Sequence, residues 1–162
     1  MPRTAALSRQ LSIFFKYYIR SILKNGEYHI DGEKKLTERN ATIVYSGGDD
    51  VFIVGAWNEV IELSIDLQEK FKKYTQGTLS ISSGIGIYEC TYPIGAIANE
   101  TGEMEAESKR MPEKDSVTFM DDGETHLINE LEICDGTYRW EELYKSVLGE
   151  KYDVIQDFLG ES

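Results

Sequence analysis

Apolar residues near the start recur at helical spacing: Leu7, Leu11, Phe14, Phe15, Tyr18 and Ile22 form one stripe of the kind a helix buries on one face. Thr4 is a capping residue and Asn25-Gly26 a stop signal, so the pattern predicts a helix over 4–24. Residues 27–40 are polar and charged and predict a loop with a turn at Asp31-Gly32. Two β-like runs follow, Ala41-Thr42-Ile43-Val44-Tyr45 and Val51-Phe52-Ile53-Val54, joined by Ser46-Gly47-Gly48-Asp49-Asp50. Trp57, Ile61, Ile65, Gln68 and Phe71 line a second helix that stops near Tyr74. From Thr78 to Tyr88 the chain alternates as a strand does. Leu79, Ile81, Ile85 and Ile87 share one face, and Ser80, Ser82, Gly84 and Gly86 the other.

Pro93 opens a third helix, with Ile94, Ile97, Ala98 and Thr101 as its buried edge and Glu103, Glu105 and Glu107 on its solvated side, and Pro112 ends it. Val117 to Met120 predicts a short strand and Asp122-Gly123 a hairpin-type turn. Trp140, Leu143, Tyr144, Val147, Leu148, Tyr152, Ile155 and Leu159 predict a last helix, divided at Gly149. A hairpin flanked by helices, with a strand after the second helix, is a split βαβ arrangement. The expectation is an α+β fold with helices on one sheet face and the other face open. That arrangement begins with a strand before the first helix, for which the chain has no room.

Composition narrows the classes. The 162 residues fit one domain, and 41% hydrophobic residues are enough for a core. The net charge of -12 argues against a free-standing nucleic-acid binder. An acidic chain that handles polyphosphate needs metals or a basic partner. Cys90 and Cys134 match no metal-ligand spacing and read as reduced, buried thiols. No apolar run is long enough for a bilayer, so the expectation is a cytoplasmic protein without membrane contact. His29 and His126 stand isolated, neither followed by an aspartate. The aromatics Phe14, Phe15, Tyr17 and Tyr18 read as core or subunit interface rather than a base-stacking platform.

The hairpin is where structure and chemistry coincide. Two glycines allow a tight turn and close approach of a ligand, and paired carboxylates suit a hard divalent cation. A solvated turn with no ligand explains the same residues. Neighbours in an extended strand point to opposite faces, so Asp49 and Asp50 meet one metal only if the turn distorts the backbone.

The segment from Tyr45 to Phe52, with Gly47-Gly48-Asp49-Asp50 at its centre, resembles the GGDD signature of the large palm-containing subunit of type III CRISPR effector complexes. The similarity continues through Phe52 to Trp57 and Leu79 to Gly86, then Glu100-Thr101-Gly102-Glu103, Lys109-Arg110 and Asp115-Ser116-Val117-Thr118. Thr4-Ala5-Ala6-Leu7-Ser8 resembles the start of the helix after that palm's first strand. It covers roughly residues 1–120.

The resemblance implies a ferredoxin-like palm related to nucleotidyl cyclases and GGDEF domains. It implies conversion of ATP to cyclic oligoadenylate messengers when the complex engages target RNA, in antiviral defence. Asp49 and Asp50 would then be the catalytic, metal-binding residues, holding magnesium or manganese, with Gly47 and Gly48 lining the nucleotide. Lys109 falls where related palms bind phosphate, and is otherwise an ordinary lysine at a helix end. Ser82, on the small-residue face, lies beneath a nucleotide or packs against another element. Implied partners are the other subunits of the ribonucleoprotein and, through it, guide and target RNA.

The first strand of such a palm carries further metal-binding acids, and here it is missing. The chain is therefore expected to be a fragment, inactive alone, completed by the rest of its own subunit as a companion chain. Residues 1–125 form the palm fragment and 126–162 a helical C-terminal extension or linker to a following domain. The alternative is a palm-like scaffold that docks subunits around the guide RNA without catalysis. A GGDEF-type dinucleotide cyclase is disfavoured, because Val51 follows Asp50 where that motif, which continues with an acid and then Phe, has its Phe.

Overall fold

The computed structural model describes residues 2–32, 35–121 and 123–152. The chain divides into two compact units, Met1–Gln76 and Gly77–Ser162.

In the first unit, α1 (Pro2–Ile13) passes through a wide π-helical turn, Phe14–Tyr18, into α2 (Ile19–Lys24). The helix starts at Pro2, ahead of the expected cap at Thr4. Phe14, Phe15, Ile19 and Ile22 are buried, whereas Leu7, Tyr17 and Tyr18 stay exposed. The hairpin follows as β1 (Ala41–Gly47) and β2 (Asp50–Gly55). Next comes α3 (Trp57–Tyr74), almost wholly buried between Ile61 and Gln68. Phe71 on α3 meets Phe14 edge-on at 5.1 Å between ring centres, with Phe15 at 5.8 Å. Trp57, expected on the buried line of this helix, is 55% exposed.

The polar segment 27–40 is a loop, but an ordered one. Arg39, just before β1, sends a fully buried guanidinium to Glu62, to Asp66 at 2.7 Å and to the Tyr28 carbonyl. Asp66 also accepts from the amides of Glu27 at 3.1 Å and Tyr28 at 2.8 Å. Glu62 accepts from the amide of Ile30 at 2.9 Å. Two acids one helical turn apart thus hold a segment that has almost no ladder of its own. Gly26 follows from the same packing. A Cβ there would lie 2.6 Å from the Arg39 guanidinium carbon, so the residue makes room for an arginine as well as ending a helix.

In the second unit, β3 (Ser83–Ile85) runs parallel to β4 (Ser116–Phe119) through the crossover helix α4 (Ile94–Ser108). A hairpin of β5 (Thr125–Ile128) and β6 (Leu131–Cys134) follows. Then β7 (Thr137–Arg139) pairs antiparallel with β4. The chain continues as α5 (Trp140–Glu142) and a π-helical stretch, Leu143–Lys151, which Gly149 does not divide. Val117, Ile133 and Leu143 are fully buried. The Trp140 indole donates to the Ile81 carbonyl at 2.8 Å. Across β4 and β7, the buried Thr118 and Thr137 hydroxyls bond at 2.8 Å.

Several expectations change here. The strand expected over 78–88 pairs only at Ser83–Ile85. Its small-residue face packs on a helix at Gly84, where a Cβ would meet the Thr101 carbonyl and lie 2.6 Å from Met104 Cβ. On α4 the buried edge includes Ser108, while Ile94 and Ala98 are exposed. Residues 126–139, expected within a helical extension, are mostly β5, β6 and β7. The β5–β6 turn at Asn129-Glu130 has positive φ at both positions, 49° and 66°. Glutamate is not a residue that announces such a turn. Cys134 is buried as expected, and burial pushes its thiol upward, but Cys90 is exposed. Asp122, Ile155 and Leu159 lie outside the described residues.

Replacing Arg39 with Met strands Glu62 and Asp66 as buried acids without their cation. This costs about 3–5 kcal/mol, and urea unfolding that shows less than about 1 kcal/mol contradicts the packing described. Gly84→Ala forces β3 away from α4 and costs about 1–3 kcal/mol. An unchanged thermal midpoint would show that the two elements do not meet there.

Candidate metal and nucleotide site

The hairpin tip is built by a two-residue turn. Gly47 pairs with Asp50, leaving Gly48 and Asp49 as the central residues. Gly48 has φ +64° and Asp49 has no positive φ, the pattern of a II′ hairpin turn, which favours glycine first. Nothing lies within 4 Å of a Cβ placed on Gly48, so that glycine serves the turn geometry. Asp49 sits in the turn rather than in a strand. The alternation that would drive the two acids apart therefore does not apply to it. Both carboxylates are exposed, and neither side chain accepts a hydrogen bond from another described residue.

The register assigns faces. Directly opposed residues of an antiparallel pair share a face, as do residues two apart. Ser46 opposes Val51 and Tyr45 opposes Phe52. Ser46 and Val51 therefore share one face, and the Ser46 hydroxyl donates to the Phe15 carbonyl at 2.8 Å, which fixes that face against the helix. Tyr45, Gly47, Phe52 and Asp50 share the opposite, open face. A register shift lies between Ile43 and Tyr45, so Val44 is an extra, bulged residue. Without that bulge Tyr45 would point to the helix side with Ile43; with it, Tyr45 joins Asp50.

Gly47 has a different reason to be glycine. Its Cβ would run into the Tyr45 hydroxyl and lie 2.7 Å from the adjoining ring carbon. The ring of Tyr45 thus lies over the Gly47 backbone. Sequence reasoning placed a nucleotide there and gave Tyr45 no role. The bulge that turns Tyr45 outward leaves no mark in the alternation of β-branched and aromatic residues.

Ser82 and Lys109 belong to the second unit. The Ser82 hydroxyl donates to the Lys114 carbonyl at 2.7 Å, and the Lys109 ammonium pairs with Glu105 at 2.5 Å, one turn back on α4. Gly47, Gly48, Asp49 and Asp50 are brought together in the first unit. His29 lies 3.4 Å from Glu62 beside the Arg39 network, and His126 bonds to Asp135 at 2.7 Å.

Among the described residues no group of three or more His, Cys, Asp or Glu is placed to enclose a metal. Magnesium keeps several waters and is held by one or two carboxylates together with substrate phosphates rather than by a protein cage. Asp49 and Asp50, exposed and without a partner among the described residues, fit that role. No described helix is long and apolar enough to cross a membrane.

The chain resembles known proteins along most of its length. It is 43% identical over 159 residues to the Mycobacterium tuberculosis protein named CRISPR system single-strand-specific deoxyribonuclease Cas10/Csm1 (subtype III-A), covering 98% of this chain and 18% of that relative. It thus spans under a fifth of the relative's length. Among solved structures, a Csm1–Csm4 cassette in complex with one ATP matches with a TM-score of 0.68 at 28% identity, covering 86% of this chain and 20% of that one. A Csm1–Csm4 cassette in complex with cA3 matches with the same score, identity and coverage. The α+β architecture agrees with the ferredoxin-like palm of these proteins. Residues 1–118 match the family model described as Cas10/Cmr2, second palm domain, and this chain belongs to that family.

Proposed function

We propose that this chain is the catalytic palm portion of a type III CRISPR effector subunit that makes cyclic oligoadenylate from ATP. The observation that carries the reading is the hairpin tip, where Asp49 and Asp50 follow a positive-φ Gly48, both exposed and without a partner among the described residues. The family membership gives that tip its chemical context, and the related cassettes with ATP and with cA3 supply substrate and product classes.

On this reading each group in the tip has a task. A bound magnesium ion would lower the pKa of an attacking hydroxyl and offset charge on the phosphate. Asp49 and Asp50 would hold that ion, and their exposure leaves room beside it for water and nucleotide phosphate. Gly48 keeps the turn narrow, so no side chain stands between the acids and the open face. The Ser46 bond to the Phe15 carbonyl and the buried Arg39 network fix the strands behind the tip. Lys109 is proposed as a phosphate contact and Ser82 as a neighbour of the nucleotide, each leaving its present partner to take that role. Partners are the other effector subunits, a Csm4-like chain first among them, with guide and target RNA reached through the complex.

Replacing Asp49 and Asp50 together with Ala in the assembled complex should lower ATP conversion by about a hundredfold or more, followed with labelled ATP in the presence of target RNA. Unchanged synthesis would leave the palm as a scaffold without catalysis.

A further inference from the structure

We propose that Tyr45 is the residue on which the purine of the bound nucleotide stacks. This rests on the reading of the hairpin tip as a metal and nucleotide site. Four observations converge on Tyr45. It is 57% exposed, so its ring is open to a ligand. It lies on the same face as Asp50, by the register that pairs Gly47 with Asp50 and Tyr45 with Phe52. It reaches that face only through the bulge at Val44, and bulges beside reactive groups re-aim a side chain. Its hydroxyl end reaches over Gly47, in the space a side chain there would occupy.

An exposed aromatic face beside a metal-binding carboxylate matches the two ends of a nucleoside triphosphate. The phosphates need the cation and its acids. The base needs a π-face, and stacking accepts it without reading its hydrogen-bonding edge. Gly47 sets the spacing between these ends and keeps the ring low against the backbone.

A purely structural role would also place an aromatic over a strand glycine. The second unit shows that packing, where a Cβ on Gly86 would lie 2.6 Å from the Tyr88 hydroxyl. There the ring is half-buried, and burial, joined by Glu100, raises its phenol to about 12. Covering a glycine thus does not call for the exposure Tyr45 keeps.

The test compares two ligands in the intact protein with magnesium: ATP, and inorganic tripolyphosphate, which has no base. Tyr45→Phe should retain ATP affinity. Tyr45→Leu, which still covers Gly47, should weaken ATP by roughly tenfold or more and leave tripolyphosphate unchanged. Loss of both ligands alike, or no change in ATP, overturns the role of Tyr45. The Asp49→Ala, Asp50→Ala double variant separates this from the underlying reading. It should weaken both ligands; if it weakens neither, the tip is not the nucleotide site and the proposal for Tyr45 falls with it.

Discussion

The buried guanidinium of Arg39 is the interaction on which the placement of the hairpin depends. Arg39 immediately precedes β1, and its partners Glu62 and Asp66 stand on α3, the helix that follows β2. One ionic network therefore clamps both ends of the hairpin at its base. The same acids hold the amides of Glu27, Tyr28 and Ile30, so the loop from α2 is drawn into the clamp. A charge buried this deeply is tolerated because every partner is charged or a backbone dipole, and breaking it leaves the remainder unpaired. Phe14 and Phe15 packed on Phe71, with Ile19, Ile61, Leu63 and Ile65, make up the apolar core of the first unit.

With the base held, the tip is free to be exposed. The contrast between the two ends of the hairpin is the basis of the functional reading. At the base, carboxylates are buried and saturated with donors. At the tip, Asp49 and Asp50 have no partner among the described residues. Nothing in the turn demands two acids; Gly48 alone answers its conformational need. On the proposed function their use is electrostatic and directed outward, toward a cation and the phosphates it accompanies.

Much of this was legible in the sequence, and the limits have physical causes. The hairpin, α3 and the crossover from β3 through α4 to β4 follow from periodicity and from Gly and Pro punctuation. Arg39 with Glu62 and Asp66 did not, because buried ions look like solvated ones in a linear pattern and their pairing spans more than twenty residues. The β5–β6 hairpin was hidden by a turn with glutamate in a left-handed position. The two glycines of the tip read alike, yet Gly48 is needed for its φ and Gly47 for the ring of Tyr45. The bulge behind Tyr45 decides which face that ring occupies, and bulges follow from pairing rather than from composition. The pairing of Asp49 with Asp50 was legible as a motif, though alternation argued against a shared ion until the turn placed Asp49 outside the strand.

The central claim is that Asp49 and Asp50 together hold a divalent cation that accompanies a nucleotide. Its most direct measurement is a crystal structure of the intact protein with manganese and a non-hydrolysable ATP analogue, with manganese located by its anomalous signal. The expected result is a peak bonded to a carboxylate oxygen of Asp49 or Asp50 and to a phosphate oxygen of the nucleotide. Nucleotide and manganese bound elsewhere, with both aspartates solvated, would contradict it.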